Sequence, residues 1–171
     1  MNTLSNKIIT FIALTACALS SSQAMADGGK ISGSASLNYT KQDASLAPSA
    51  DGHILVSGEL TGNNKNTGGT DFMSNANVDN REIGQLFQGN GPHSGYYTMS
   101  KDGNTTTALW KGDVTTVISA DGTPQTSFKG TWEYVAGTGK YNRIQGKGKY
   151  SGYFTSKTTY IVDWNGEYSL K

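Results

Sequence analysis

The sequence predicts an all-β protein, a single antiparallel β-barrel of about eight strands with one short helix in a long loop. Three observations indicate this class. Apolar and polar residues alternate with a period of two in segment after segment, as they do along half-buried strands. No segment after residue 30 carries the 3.6-residue period of a long helix. Glycine repeatedly stands two residues from an aromatic residue on one predicted strand face, which suits the tapering interior of a small closed barrel.

The period-two pattern divides the chain into eight predicted strands. In the first strand, alternate residues from Ile31 to Tyr39 face inward and the residues between them are mostly serine. The pairs Asp102-Gly103 and Asp121-Gly122 predict tight turns between strands. The predicted strands cover roughly residues 31–40, 53–62, 70–78, 94–101, 104–119, 124–135, 143–155 and 158–170.

The segment from Gly62 to Pro92 is much longer than the other predicted connections. Its residues 70–78 can add the third strand. Asp79 and Glu82 then fit a capping box, which predicts a short helix near residues 80–88. Because loops of this length in compact domains are usually functional or disordered, and this one has apolar groups to bury, we expect it to be functional.

We expect this segment to cover one mouth of the barrel. Phe72, Ile83 and Phe87 would pack over the barrel end, with Arg81 and His93 at its rim. The flanking glycines would let such a cover move as a lid. The alternative is a fixed plug that completes the core, and the sequence does not separate the two.

Residues 1–26 have the pattern of an export signal. Lys7 precedes a short apolar run, and small residues lead to Ala24-Met25-Ala26, an A-x-A cleavage site. Cleavage after Ala26 would leave one β-barrel domain over residues 27–171, in the periplasm or secreted. The alternative is a lipoprotein anchored through Cys17, because Leu14-Thr15-Ala16-Cys17 resembles a lipobox. The apolar run is too short to span a bilayer.

Composition excludes several classes of function. The 22 glycines all follow residue 26, and beyond that point basic and acidic residues balance at 13 each, so no charge excess favours nucleic acid. The sequence has two histidines and one cysteine, which gives no clustered ligand set, so we expect no metal and no cofactor. Gly137-Thr138-Gly139-Lys140 lacks the spacing of a phosphate loop and is interpreted as a hairpin turn. Nothing indicates an oligomer.

The stretch from Gly130 to Gly148 resembles the signature of allene oxide cyclase and dirigent-type barrels. It contains Gly137-Thr138-Gly139, then Lys140 and Tyr141, and ends in a Gly-x-Gly pair. The resemblance covers about twenty residues well and implies an eight-stranded antiparallel barrel with a hydrophobic cavity. The signature describes a turn and a curved strand, so no catalytic residue and no cyclase or coupling activity carries over.

The predicted inward aromatic residues are the main candidates for ligand contact. They either fill the barrel or line a pocket, and we expect filling near one end and a modest cavity near the other. The inward sets contain almost no carboxylate or histidine, which argues against acid–base catalysis inside the barrel. The candidate ligand-binding residues of cavity and mouth are Trp110, Trp132, Tyr134, Trp164, Phe72, Phe87, Arg81 and His93.

Three functions therefore remain open from the sequence. The first is non-catalytic binding of a small apolar or amphipathic molecule. The second is an isomerase or cyclase that acts in the same cavity. The third is a structural or interaction module of the cell envelope with a filled barrel.

Overall fold

The computed structural model describes residues 28–48 and 51–171. The expected signal peptide, its cleavage site at Ala26 and the possible lipidation site at Cys17 lie outside these residues. Eight antiparallel strands form a closed barrel in which each strand pairs with its neighbours in sequence and the last pairs with the first. The strands are β1 Gly28–Leu46, β2 His53–Asn66, β3 Asn77–Phe87, β4 Gly91–Lys101, β5 Asn104–Ile118, β6 Pro124–Thr138, β7 Gln145–Phe154 and β8 Thr159–Ser169. The predicted barrel class is confirmed.

Side-chain burial follows the period-two pattern. Along β1, Ile31, Ala35 and Leu37 are at most 3% exposed, while Ser36 and Asn38 are exposed. Such alternation fixes the register of each strand, since a slip by one residue would bring the whole polar set inside. Within the described residues each strand pairs with two neighbours, so the sheet closes on itself.

The prediction of a short helix near residues 80–88 is wrong. This segment is most of β3, which pairs with β2 along its length and with β4 from Asn77 to Gly84. Ile83, Leu86 and Phe87 have helical spacing in sequence, but β3 sends Asn80 and Glu82 inward, and this polar inner face hides the alternation. Strand pairing on both sides outweighs a local capping signal. Within the described residues the helical structure is the single 3-10 turn Gly139–Tyr141.

The predicted third strand over residues 70–78 is also wrong, because residues 67–76 form the β2–β3 loop instead. This loop folds into one end of the barrel, where Phe72 and Met73 are 4% and 2% exposed. Tyr141 and Ile144, from the β6–β7 connection, are buried in the same core. We call this end the closed end. The opposite end, where β1–β2, β3–β4, β5–β6 and β7–β8 connect, is called the open end.

Glycines allow aromatic rings to lie directly on the inner surface of the sheet. A Cβ atom at Gly148 or Gly166 would stand 2.5–2.6 Å from the Trp132 ring. One at Gly112 or Gly130 would stand 2.6 Å from the Tyr150 hydroxyl. The ring and its glycine therefore belong to different strands, adjacent or two apart in the barrel, rather than to the same-strand pairs that the sequence shows. This close approach explains why glycine recurs in mid-strand, where it normally weakens a sheet.

Candidate ligand cavity

The interior of the barrel is filled at the closed end and hollow towards the open end. At the closed end, Phe72 packs against Tyr134, Tyr141 and Tyr168, with ring centroids 4.6–6.1 Å apart. Towards the open end lies a cavity of about 220 Å³. Its wall reaches from Trp132 and Trp164 in the barrel centre to Leu86 and Phe154 near the open end.

The cavity wall is mostly aromatic. Phe128, Tyr150, Phe154 and Tyr160 make edge-to-face or tilted contacts with one another. Trp110 lies edge-on to Tyr150, with centroids 5.5 Å apart. Rigid aromatic walls of this kind offer a large apolar contact surface to a ligand at a small cost in conformational entropy.

The sequence-predicted tryptophans all lie in the barrel, and each indole N–H has an acceptor. Trp110 donates to Asn80 Oδ1 at 2.9 Å and Trp164 to Asn64 Oδ1 at 3.1 Å, whereas Trp132 donates to a backbone carbonyl. These three residues and Tyr134 all contribute to the cavity wall. Because the indole donors are occupied, the tryptophans present mainly their apolar rings to the cavity.

Glu82 is a carboxyl group on the inner face of β3, surrounded by hydrogen-bond donors. The Tyr39 hydroxyl donates to Oε1, and the Tyr160 hydroxyl donates to Oε2 at 3.3 Å. Asn80 Nδ2 lies 3.4 Å from Oε2 and donates to the Tyr160 oxygen at 3.0 Å. Burial raises the pKa of Glu82 above its ordinary value, and the hydrogen bonds that it accepts partly oppose this rise.

His93 faces the same cavity from β4. Its ring lies 4.7 Å from Trp110 and 5.6 Å from Phe128, centroid to centroid, and its Nε2 is 3.1 Å from the Tyr150 hydroxyl. Burial lowers the pKa of His93 to about 4, although the negative charge of Asp113 opposes this shift. At neutral pH the imidazole is therefore uncharged.

The Tyr97 hydroxyl is the one cavity-lining phenol of the described residues that is buried without a hydrogen-bond partner. Tyr97 stands opposite Asn80 across the β3–β4 ladder. Burial raises the pKa of this phenol, so it stays protonated and keeps a hydrogen to donate. Buried polar groups are nearly always paired, and an exception calls for an explanation.

The expected grouping of the remaining candidates at one barrel end is wrong. Phe72 lies in the closed end, whereas Phe87 ends β3 at the open end and is 41% exposed. Arg81 and Ile83 are exposed on the outer side of β3, because period two places them opposite Glu82. His93 faces the cavity, as described above, instead of standing at the rim of a covering segment. The cause in each case is that residues 77–87 are a strand.

The expectation that the interior holds almost no carboxylate or histidine is likewise wrong. Glu82 and His93 both face the cavity, whereas the sequence places Glu82 in the long connecting segment and gives Asn80 and Tyr97 no role in the site. The sequence does contain a signal for Asn80 and Glu82. Continuing the period-two pattern from Val78 through the capping box would have placed Asn80 and Glu82 on the inner face.

Within residues 28–48 and 51–171, no group of three or more histidine, cysteine, aspartate and glutamate side chains is placed to hold a metal ion. None of the helical structure in the described part of the chain is long and apolar enough to cross a bilayer.

Comparison with known proteins finds a structural similarity. No family model matches the chain, and no curated protein matches it. A solved structure of a pterocarpan synthase dirigent protein is similar over 100% of this chain and 98% of its own, with a TM-score of 0.49 and 13% sequence identity. The assignment as a closed eight-stranded antiparallel barrel stands on the strand pairing of this chain itself.

Proposed function

We propose that the barrel binds a small, largely apolar molecule that carries at least one hydrogen-bonding group. The observation that carries this proposal is the cavity of about 220 Å³, with its aromatic wall and a few polar groups on β3 and β4. Small-molecule sites have this composition, because apolar walls supply affinity and a few placed polar groups supply orientation.

The cavity volume limits the size of the ligand. About 150 Å³ is enough for one benzene molecule, and pockets for drug-sized ligands are roughly 300–1,000 Å³. A volume of about 220 Å³ therefore suits a molecule with a single ring or a short branched chain.

We propose that the ligand enters the cavity at the open end of the barrel. Leu46, Ile54 and Ile118 stand near the strand ends there, and they are 77%, 37% and 67% exposed. Leu46 pairs with Ile54 in the β1–β2 ladder, in register with the inward-facing residues of both strands. An exposed apolar rim of this kind favours transfer of an apolar molecule from water into the cavity.

A second candidate function is isomerase or cyclase activity in the same cavity. Glu82 and His93 favour it, because buried titratable groups with shifted pKa values in a cleft are typical of active sites. The third function, a structural module with a filled barrel, has less support, because the interior is hollow towards the open end.

The binding proposal is tested by identifying the small molecule that stays bound to the protein during purification. Protein purified from its own host would be weighed by native mass spectrometry and its ligand extracted. The variant Val56→Phe fills space on the inner face of β2, whereas the control Leu55→Phe adds the same ring on the exposed outer face. We expect a bound small molecule in the wild type and in L55F, and its loss in V56F. Equal occupancy in V56F and the wild type would refute binding in the cavity.

We also propose that the protein is exported and cut after Ala26, with lipidation at Cys17 as the alternative. The support is the three-part signal pattern in the sequence. Mass spectrometry of the mature N-terminus tests it. A chain that begins at Asp27 is expected, a diacylated Cys17 would reverse the order of the two alternatives, and an intact Met1 would contradict both.

A further inference from the structure

The cavity wall carries two polar groups on neighbouring strands, the Glu82 carboxyl and the Tyr97 hydroxyl. A purely apolar ligand would need neither of them. In the β3–β4 ladder Asn80 stands opposite Tyr97, and Glu82 stands opposite Gly95. Glu82 and Tyr97 are therefore diagonal neighbours on the inner face, at a spacing that long side chains bridge. Gly95 has no side chain that could separate Glu82 from Tyr97, and the apolar ring of Trp110 lies against Gly95. Glu82 and Tyr97 both line the cavity.

Glu82 has the environment of a proton acceptor. Its carboxyl lines the cavity and is held by Tyr39, Tyr160 and Asn80, which fix the orientation of both oxygens. Asn80 is itself held by the Trp110 indole N–H, so the support continues into the wall. A carboxylate has about four lone-pair positions, so these three donors leave room for a substrate proton.

Tyr97 has the environment of a hydrogen-bond donor to a substrate oxygen. Its hydroxyl is buried, lines the cavity and finds no acceptor among the described residues. Burial without a partner costs free energy, which a ligand oxygen in the cavity would recover. A donor that is already desolvated and oriented stabilises an oxyanion more strongly than one in water.

We propose that Glu82 and Tyr97 form a proton-transfer site that isomerises a small β,γ-unsaturated carbonyl compound to its conjugated isomer. Glu82 removes a proton from the carbon between the carbonyl and the double bond, so a C–H bond breaks and an O–H bond forms. The electron pair moves into the carbonyl and leaves a dienolate, whose oxygen accepts a hydrogen bond from Tyr97. Glu82 then returns the proton to the γ carbon. The reaction needs no oxidant or reductant, because substrate and product are isomers.

This inference rests on the proposed binding function and deepens it by naming a substrate class. The carbonyl compound must be uncharged and close to one ring in size, given the cavity volume. An anionic substrate is disfavoured, because a second negative charge beside Glu82 would be repelled in a site of low dielectric.

Cyclohex-3-en-1-one is the substrate for the test, and phenol, a planar mimic of the dienolate, is the binding reagent. Formation of cyclohex-2-en-1-one is followed by ultraviolet absorbance, and deuterium incorporation in D2O is followed by NMR. We expect the wild type to exceed the buffer rate. Glu82→Gln and Tyr97→Phe should each lower this rate by about 100-fold or more, the usual effect of removing a catalytic base or an oxyanion donor.

Matched controls carry the same chemical changes on the outer surface. Glu59→Gln removes an exposed carboxyl on β2, and Tyr96→Phe removes a hydroxyl from the exposed neighbour of Tyr97. Both should keep the wild-type rate. Y97F should still fold and bind phenol, so its lost rate is interpretable even where E82Q does not fold.

The outcomes separate the two proposals. Phenol binding without isomerisation or deuterium incorporation above the buffer rate would overturn the proton-transfer inference and leave the binding function intact. A full rate in E82Q or Y97F would also overturn the inference. Absence of phenol binding in the wild type, together with absence of turnover, would count against both.

Discussion

His93 and Glu82 both face the cavity, and burial favours the uncharged form of each side chain. The pKa of Glu82 is therefore raised and that of His93 is lowered to about 4. Their contributions to stability change with pH in opposite directions. Glu82 opposes folding when pH rises through its folded-state pKa, and His93 opposes folding when pH falls below the pKa that it has in the unfolded chain.

The first prediction concerns His93 and acid. In the unfolded chain a histidine has a pKa near 6.5, so the unfolded state takes up the proton first as pH falls. The contribution of His93 to stability is full above about pH 6.5 and is lost progressively towards about pH 4. The variant His93→Gln should lose less stability over this interval than the wild type, by several degrees in Tm, since 1 kcal/mol is worth roughly 2–4 °C for a domain near this size.

Thermal unfolding of both proteins between pH 4 and pH 7.5 checks this prediction. His53→Gln is the control, because His53 lies beside Asp51 at the start of β2, away from the cavity wall. If H93Q loses stability as steeply as the wild type over this interval, the buried, uncharged state of His93 is refuted.

At the scale of the strand, glycine beneath an aromatic ring determines how closely the interior packs. The second prediction is that Gly148→Ala destabilises the barrel by about 1–3 kcal/mol or more, the usual cost of overpacking. The added Cβ would stand 2.0 Å from the Asn165 carbonyl oxygen and 2.5 Å from the Trp132 ring. Ser151→Ala, on the exposed face of the same strand, is the control.

Equilibrium unfolding in guanidinium measures both variants. A lower midpoint for G148A with an unchanged midpoint for S151A is expected. Equal midpoints for the two would mean that the ring does not rest on the glycine.

The loop of residues 67–76 is part of the core at the closed end. Asn64, which is 1% exposed, donates to the Met73 carbonyl oxygen at 2.9 Å, and Lys101 donates to the Ser74 carbonyl oxygen at 2.7 Å. The third prediction is that Phe72→Ala costs about 3–5 kcal/mol, as for other buried phenylalanines. Phe87→Ala should cost about 1 kcal/mol or less, because Phe87 is 41% exposed.

Denaturant midpoints of these two variants distinguish a packed closed end from a loose cover. A loss of comparable size in F72A and F87A would contradict the account of the closed end.

The sequence predicts a strand correctly where the inner face of the strand is apolar, and it fails where that face carries polar residues. The inner residues of β1 and β8 are apolar or glycine almost throughout, and the sequence places them correctly. In β3 the inner face carries Asn80 and Glu82, so the period-two signal is weak and a helical cap fits better locally. The pairing of β3 with β2 and β4 makes this segment a strand. A local sequence pattern does not show this pairing, because the partner residues are distant in sequence.

At the scale of the whole molecule, closure of the sheet produces a barrel that is packed at one end and hollow at the other. The sequence predicts this asymmetry and the aromatic residues that create it. It names His93 as a candidate and places Tyr97 in a predicted strand, but it misses Asn80 and Glu82 as cavity groups because it assigns residues 80–88 to a helix. The orphan hydroxyl of Tyr97 is visible only once the surrounding side chains are in place.

The central claim is that the barrel interior is a ligand site rather than a filled core, and the three tryptophans report on it directly. Two-dimensional ¹H–¹⁵N NMR resolves their indole N–H signals, which are titrated with phenol. We predict saturable shifts that are largest for Trp110, since its N–H is bonded to Asn80 beside Glu82. These shifts should persist in L55F and disappear in V56F. Absence of a saturable shift at all three indoles of the folded wild type, or unchanged shifts in V56F, would contradict the claim.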